Sequence, residues 1–140
     1  ATTVVFATGP CKGWEMGVSE GREFFSPAWW DAVAEAWNAS GHTASMARFG
    51  TAVLRVTDAP IEPVWMRWDE KGRAARCAGG RPDDPDFSAS LQNWTAFFEG
   101  RFTAGMGLLR FKIHFQGPVR RVLPYVGGFN TFARSGRTLV

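Results

Sequence analysis

The sequence predicts an α+β domain, and three observations lead there. Ser26-Pro27 opens a stretch with apolar residues at helical spacing, β-rich runs separated by turn residues come next, and Phe111, Ile113 and Phe115 alternate with Lys112, His114 and Gln116. Periods near 3.6 and 2 in separate segments of one chain point to helices packed on a sheet.

At 140 residues the chain is one domain by length and can bury a core without disulfides or metals. Residues 1–25 read as an N-terminal extension. There Thr2 to Ala7 is β-branched and apolar, and Trp14, Met16 and Val18 alternate after Gly9-Pro10, which suggests a hairpin serving as an added edge, a dimer arm or a lid. Ser26 suits an N-cap and Pro27 the first helical position. The helix should run to about Ala39 and stop at Gly41, with Trp30, Val33, Ala34 and Trp37 as its apolar stripe and Asp31, Glu35 and Asn38 in water.

Phe49 to Thr57, Glu62 to Asp69 and Arg73 to Cys77 then read as an antiparallel meander, with Val64, Met66 and Trp68 on one face of the second run. After the loop from Gly79 to Pro85, Asp86 to Leu91 is the next strand. The following helix carries Trp94 and Phe98, with Phe97 beside them, and ends at Gly100. Thr103 caps a short helix from Ala104 to Leu109, and the alternating run through Phe115 is a half-buried strand. Gly117-Pro118 leads into a last helix with Val119, Val122, Leu123 and Val126 on one stripe. Gly127-Gly128 is expected to interrupt it, leaving a looser tail with Phe129 and Phe132.

Composition narrows the function classes. The net charge is +3, but Lys and Arg form no run longer than Arg120-Arg121, and no basic stripe interleaved with aromatics argues for nucleic acid. No apolar stretch reaches 18 residues and no leader pattern opens the chain, so a cytoplasmic location is expected. Cys11 and Cys77 match no metal spacing and read as free thiols, with a single bridge the alternative. The 7 Trp and 12 Phe are many for this length, which makes the interior oily.

The stretch DFSASLQNWTAFFEGRFTAGMGLLRFKIHFQGPVRRVLPYVGGFNTF resembles the sterol carrier protein 2 (SCP2-like) family of small lipid-binding domains. The matching parts are Asp83-Asp84-Pro85-Asp86, Trp94 to Gly100, Ala104 to Leu109 and Arg110 to Gln116. With the first helix and the meander, the likeness spans about residues 26–132, and residues 26–140 are taken as the domain. Two features depart from the family pattern: Gly117-Pro118 where many members have Gly-Asp, and Gly105 and Gly107 in the short helix. The resemblance implies a five-stranded, mostly antiparallel sheet with helices over one face. It also implies an enclosed apolar cavity for a fatty acyl chain, acyl thioester, sterol or isoprenoid-like molecule.

Candidate lining residues are Trp94, Phe98, Phe102, Met106, Leu109, Phe111, Ile113, Phe115, Leu123 and Val126, although spacing alone makes each of them a core residue. Moving about fifteen methylenes out of water would contribute roughly 12 kcal/mol before ordering costs. Arg120 and Arg121 are the candidates for a ligand's polar head, with solvated surface arginines as the plainer reading. His42, His114, Asp69 and Glu70 are the only acid-base candidates and show no catalytic spacing, and no phosphate loop, nucleophile elbow or zinc motif is present. The leading expectation is a binding and carrier module without cofactor or metal, passing its ligand to a transient membrane or enzyme partner, with a homodimer also open. The alternative is an enzyme of specialised metabolism, of cyclase, isomerase or hydrolase type, using the same cavity.

Overall fold

The computed structural model describes residues 23–140, so the expected hairpin and Cys11 lie outside the described residues. Helix α1 (Pro27–Asn38) starts as its sequence predicts: the Ser26 hydroxyl accepts from the Trp29 amide at 3.2 Å. Phe25, just before the cap, and Trp30, on the fourth helical position, meet edge to face with ring centres 5.0 Å apart. This hydrophobic staple fixes the angle at which the chain enters the helix. The predicted stripe is buried, and Trp29 and Ala32 widen it. Asn38 differs from expectation. Instead of facing water, it donates to the Ala74 carbonyl at 2.9 Å and accepts from the Ala74 amide at 2.7 Å, pairing an edge-strand residue that would otherwise seek another chain.

Five strands form one sheet: β1 (Gly50–Val56), β2 (Val64–Trp68), β3 (Ala74–Cys77), β4 (Asp86–Ala89) and β5 (His114–Gln116). The order is β3-β2-β1-β4-β5, antiparallel except where β4 runs parallel to β1. The class is α+β with a mostly antiparallel sheet, as expected. Val64, Met66 and Trp68 turn into the core together with Leu54 and Phe87. On the other face the loop 78–85 lies close against the strands: a β-carbon at Gly80 would stand 2.7 Å from the Trp65 ring.

Helices α2 (Leu91–Phe98) and α3 (Ala104–Leu109) follow β4, capped by Ser90 and Thr103. Leu91 therefore opens a helix and does not end a strand. The α3 start is also tied from afar, because Asn130 accepts from the Ala104 amide at 2.6 Å.

Two expectations about the C-terminal third are corrected. The alternating run from Phe111 is strand only from His114 on. The amides of Lys112 and Ile113 both donate to the Gly107 carbonyl, at 2.8 and 3.1 Å, and Phe111 adopts φ 57°. That left-handed turn at a helix end is usually given to glycine. It swings Phe111 outward, so Phe111 does not lie beside Ile113.

The last helix also breaks in a different place. Helix α4 (Val119–Val122) passes through a 3₁₀ turn (Leu123–Tyr125) into α5 (Val126–Ser135). Pro124, which has no amide hydrogen to give, lies in that turn. Gly127 and Gly128 lie inside α5. A β-carbon at Gly128 would come within 2.6 Å of Met46 Sδ and the Ser45 carbonyl, so the glycine is there to let α5 approach.

Candidate functional site

The core is built from aromatic rings meeting edge to face. Around α1 and α2, Trp29 and Phe98 stand 5.0 Å apart and Trp30 and Phe98 5.6 Å. Around α5, Trp68 and Phe132 stand 5.2 Å apart and Phe49 and Phe129 5.1 Å. Phe98 and Phe132 join the two groups at 6.5 Å. Flat, rigid rings crossing at right angles leave a gap where the groups meet.

That gap is an apolar pocket of about 40 Å³ between the sheet and the helices. Its floor is Leu54, Trp68 and Phe87, its sides are Trp30, Trp94, Phe97, Phe98, Phe129 and Phe132, and α3 with the residue leading into β5 closes it through Ala104, Leu108 and Ile113. No charged side chain lines it. Ligand pockets commonly hold about 300–1,000 Å³, so an acyl chain enters only if a wall moves. A void of even 300 Å³ would cost roughly 7 kcal/mol at ~24 cal/mol per Å³, which explains why the walls close in.

The five tryptophans buried among the described residues differ in one respect. The indole N–H of Trp29 donates to the Leu139 carbonyl at 2.8 Å, that of Trp37 to Gly72 at 2.7 Å and that of Trp94 to Arg55 at 2.7 Å. Trp30 and Trp68, each 1% exposed, have no partner for theirs. Both line the pocket. A buried donor left unpaired costs about 1–3 kcal/mol.

The structure gathers only part of the expected lining. Trp94, Phe98 and Ile113 face the pocket. Phe102 and Met106 line a shallow surface groove outside α3, Phe115 packs on Phe87 at 5.3 Å, and Val126 is half-buried. Leu109, Phe111 and Leu123 are on the surface. Trp30, Trp68, Phe87, Phe129 and Phe132 are lining residues that the sequence does not single out. Their stripes are visible as core, and nothing in the spacing separates a core ring from a pocket ring.

The two arginines also divide. Arg120 is exposed, whereas Arg121 donates to the Asp84 carboxylate at 2.7 Å and to the Phe49 carbonyl at 3.1 Å. Asp84 is buried and also receives the Thr51 hydroxyl and, at 2.7 Å, the Arg81 amide. Burial pushes the Asp84 pKa up, but Thr51, Arg121 and the Arg81 amide outweigh it, and the carboxyl is held below its ordinary value. Arg121 thus clamps the loop 78–85 and the start of β1 to α4.

Among the acid-base candidates, Asp69 accepts from the backbone amides of Lys71 and Arg73, both at 2.9 Å, which lowers its pKa and shapes the β2–β3 turn. His42 and Glu70 are exposed, and His114 stacks on Phe111. None of the four lines the pocket. Among the described residues no cluster of His, Cys, Asp and Glu could hold a metal ion, and no helix is long and apolar enough to cross a membrane.

No family model matches the sequence, and no curated protein matches it closely enough to count. Solved structures do. A conserved hypothetical protein of Thermus thermophilus, described as a possible sterol carrier protein, superposes with a TM-score of 0.67 at 21% identity, covering 86% of this chain and 92% of its own. A crystal structure of sterol carrier protein 2 gives 0.65 at 23%, covering 82% and 98%. A UbiJ-SCP2 ubiquinone synthesis protein gives 0.56 at 9%, covering 79% and 94%. The fold of this chain is that of the SCP2-like domains.

Proposed function

We propose that this SCP2-like domain binds an apolar small molecule or lipid between its sheet and its C-terminal helices, and that the ligand carries a neutral oxygen acceptor. The observation that carries the reading is that Trp30 and Trp68, two of the residues lining an otherwise hydrocarbon pocket, both hold a buried indole donor without a partner. Hydrocarbon alone would leave them unpaired. A carboxylate would have to shed its water among side chains that offer no counter-charge, at a cost of several kcal/mol. A ketone, ester, thioester or alcohol oxygen satisfies a donor without that penalty.

Trp94, Phe98 and Ile113 would then contact the apolar body of the ligand, with Phe132 opposite. Helix α3 is the wall that yields most readily: it has six residues, two of them glycine, and each glycine costs a helix about 1 kcal/mol. The SCP2 structures that share the fold support lipid as the ligand class.

Native mass spectrometry of the protein purified from cells tests the reading. It should retain a neutral apolar molecule at one copy per chain. Recovery of bare protein, together with no uptake of long-chain ketones, esters or alcohols, would reject it.

A further inference from the structure

The charge of the chain is divided unevenly. Every Asp and Glu lies at or before Glu99, so residues 1–100 carry −4 and residues 101–140 carry +7 with no acid among them. Of the seven basic residues, Arg121 is bound to Asp84 and Arg101 to Glu99. The other five, Arg110, Lys112, Arg120, Arg134 and Arg137, are exposed and form no ion pair among the described residues, and the first three lie in the stretch from Arg110 to Arg120.

The same segment holds the exposed apolar side chains. Six large hydrophobics stand out from the described residues, and all but Val140 lie between Met106 and Leu123. Leu109 and Phe111 are each 72% exposed, Leu123 63% and Val119 56%. They alternate with these cations as Leu109-Arg110-Phe111-Lys112 and Val119-Arg120. The helices that adjoin the two stretches approach one another: a β-carbon on Gly105, one turn before Leu109, would stand 3.6 Å from the side chain of Val126, which follows Leu123 by three residues. Three cations without a carboxylate partner, one of them (Lys112) resting 5.8 Å over the Phe102 ring, set among four exposed apolar side chains are not what a purely solvated surface needs.

We propose that this face, formed by the end of α3, the turn to β5 and α4, docks on a membrane surface containing anionic lipid. Leu109, Phe111, Val119 and Leu123 enter the boundary between headgroups and acyl chains. Arg110, Lys112 and Arg120 remain at phosphate level, where their long stems keep the charges in water. A second copy of the chain is a poor occupant because it would bring like charge against like. Nucleic acid fits no better, since Phe111 and the His114 ring stacked on it make a single small platform for a base to stack on. Docking here does not depend on what the pocket holds.

Co-sedimentation of the chain with phosphatidylcholine vesicles, with and without phosphatidylserine, at low and high salt tests the proposal. Binding should require phosphatidylserine and fall with salt. Arg110→Gln, Lys112→Gln and Arg120→Gln combined should weaken it roughly a hundredfold, at about fivefold for each basic side chain. Leu109→Gln with Leu123→Gln should weaken it at every salt concentration. Arg67→Gln, exposed on the opposite sheet face, should leave it unchanged. All these side chains are exposed, so thermal melts should match the wild type. Equal binding to both vesicles would overturn the proposal, as would wild-type binding by the triple variant. A concentration-dependent dimer abolished by the leucine changes, with no vesicle binding, would assign the face to a second copy.

Discussion

Replacing Trp68 with Phe removes an indole N–H that the fold does not use, and replacing Trp37 with Phe removes one that it does. Each change takes away a similar piece of buried ring and leaves a space of a few tens of Å³, costing about 1 kcal/mol at ~24 cal/mol per Å³. In Trp37→Phe the Gly72 carbonyl also loses its 2.7 Å donor, adding about 1–3 kcal/mol. In Trp68→Phe the sign reverses, because an unpaired buried donor is removed and about 1–3 kcal/mol is recovered. Urea unfolding at neutral pH should therefore find Trp68→Phe between equal to wild type and about 2 kcal/mol more stable, and Trp37→Phe at least ~2 kcal/mol less stable than Trp68→Phe. Ligand binding gives the second arm. For Trp68→Phe, affinity for 2-undecanone should fall roughly 2- to 12-fold, the range for one neutral hydrogen bond, while affinity for undecane stays level. Equal destabilisation by the two variants, or parallel losses for ketone and hydrocarbon, would refute the reasoning.

Two further outcomes follow from the clamp and the turn. Asp84→Asn should destabilise the domain by about 2–3 kcal/mol at pH 7, since it takes the charge from a buried acceptor of three donors. The folded Asp84 pKa is lowered, so its contribution is complete above the unfolded pKa and is lost as pH falls through the folded value. The gap between wild type and variant should accordingly close in acid, as pH-dependent urea titrations would show, and a gap that persists below both pKa values would contradict it. Phe111→Asn should stabilise by about 0.5–1 kcal/mol, because Asn tolerates the left-handed backbone and an exposed ring gives up little burial. A lower thermal midpoint would contradict that.

Where the fold depends on local chemistry, the sequence displays it. Ser26-Pro27 sets the start of α1, Thr103 caps α3, and the β-rich runs become β1, β2 and β3 within a residue or two. Three features escape for a common reason, which is that their cause lies far along the chain or in packing. Gly127-Gly128 looks like a breaker by composition, but only the approach of Met46 shows why Gly128 belongs inside α5. Phe111 fits an alternating strand, yet the Gly107 carbonyl captures the two amides that follow it. Arg121 looks like one of two equivalent cations until Asp84, 37 residues away, is placed beside it. The site is half legible on the same grounds. The spacing of Trp94, Phe98 and Ile113 shows only that they turn inward, and the family resemblance is what makes them lining candidates, whereas the unpaired donors of Trp30 and Trp68 are visible only once every carbonyl in the core has been given a position.

The account rests on those two donors meeting a ligand oxygen, and their indole resonances report it directly. In a nitrogen–proton NMR titration with 2-undecanone, the Nε1–H signals of Trp30 and Trp68 should move and saturate at one ligand per chain. Those of Trp29, Trp37 and Trp94, already bonded to backbone carbonyls, should shift far less. If Trp30 and Trp68 stay fixed while the ketone binds, or if all five move alike, the pocket is not the binding site.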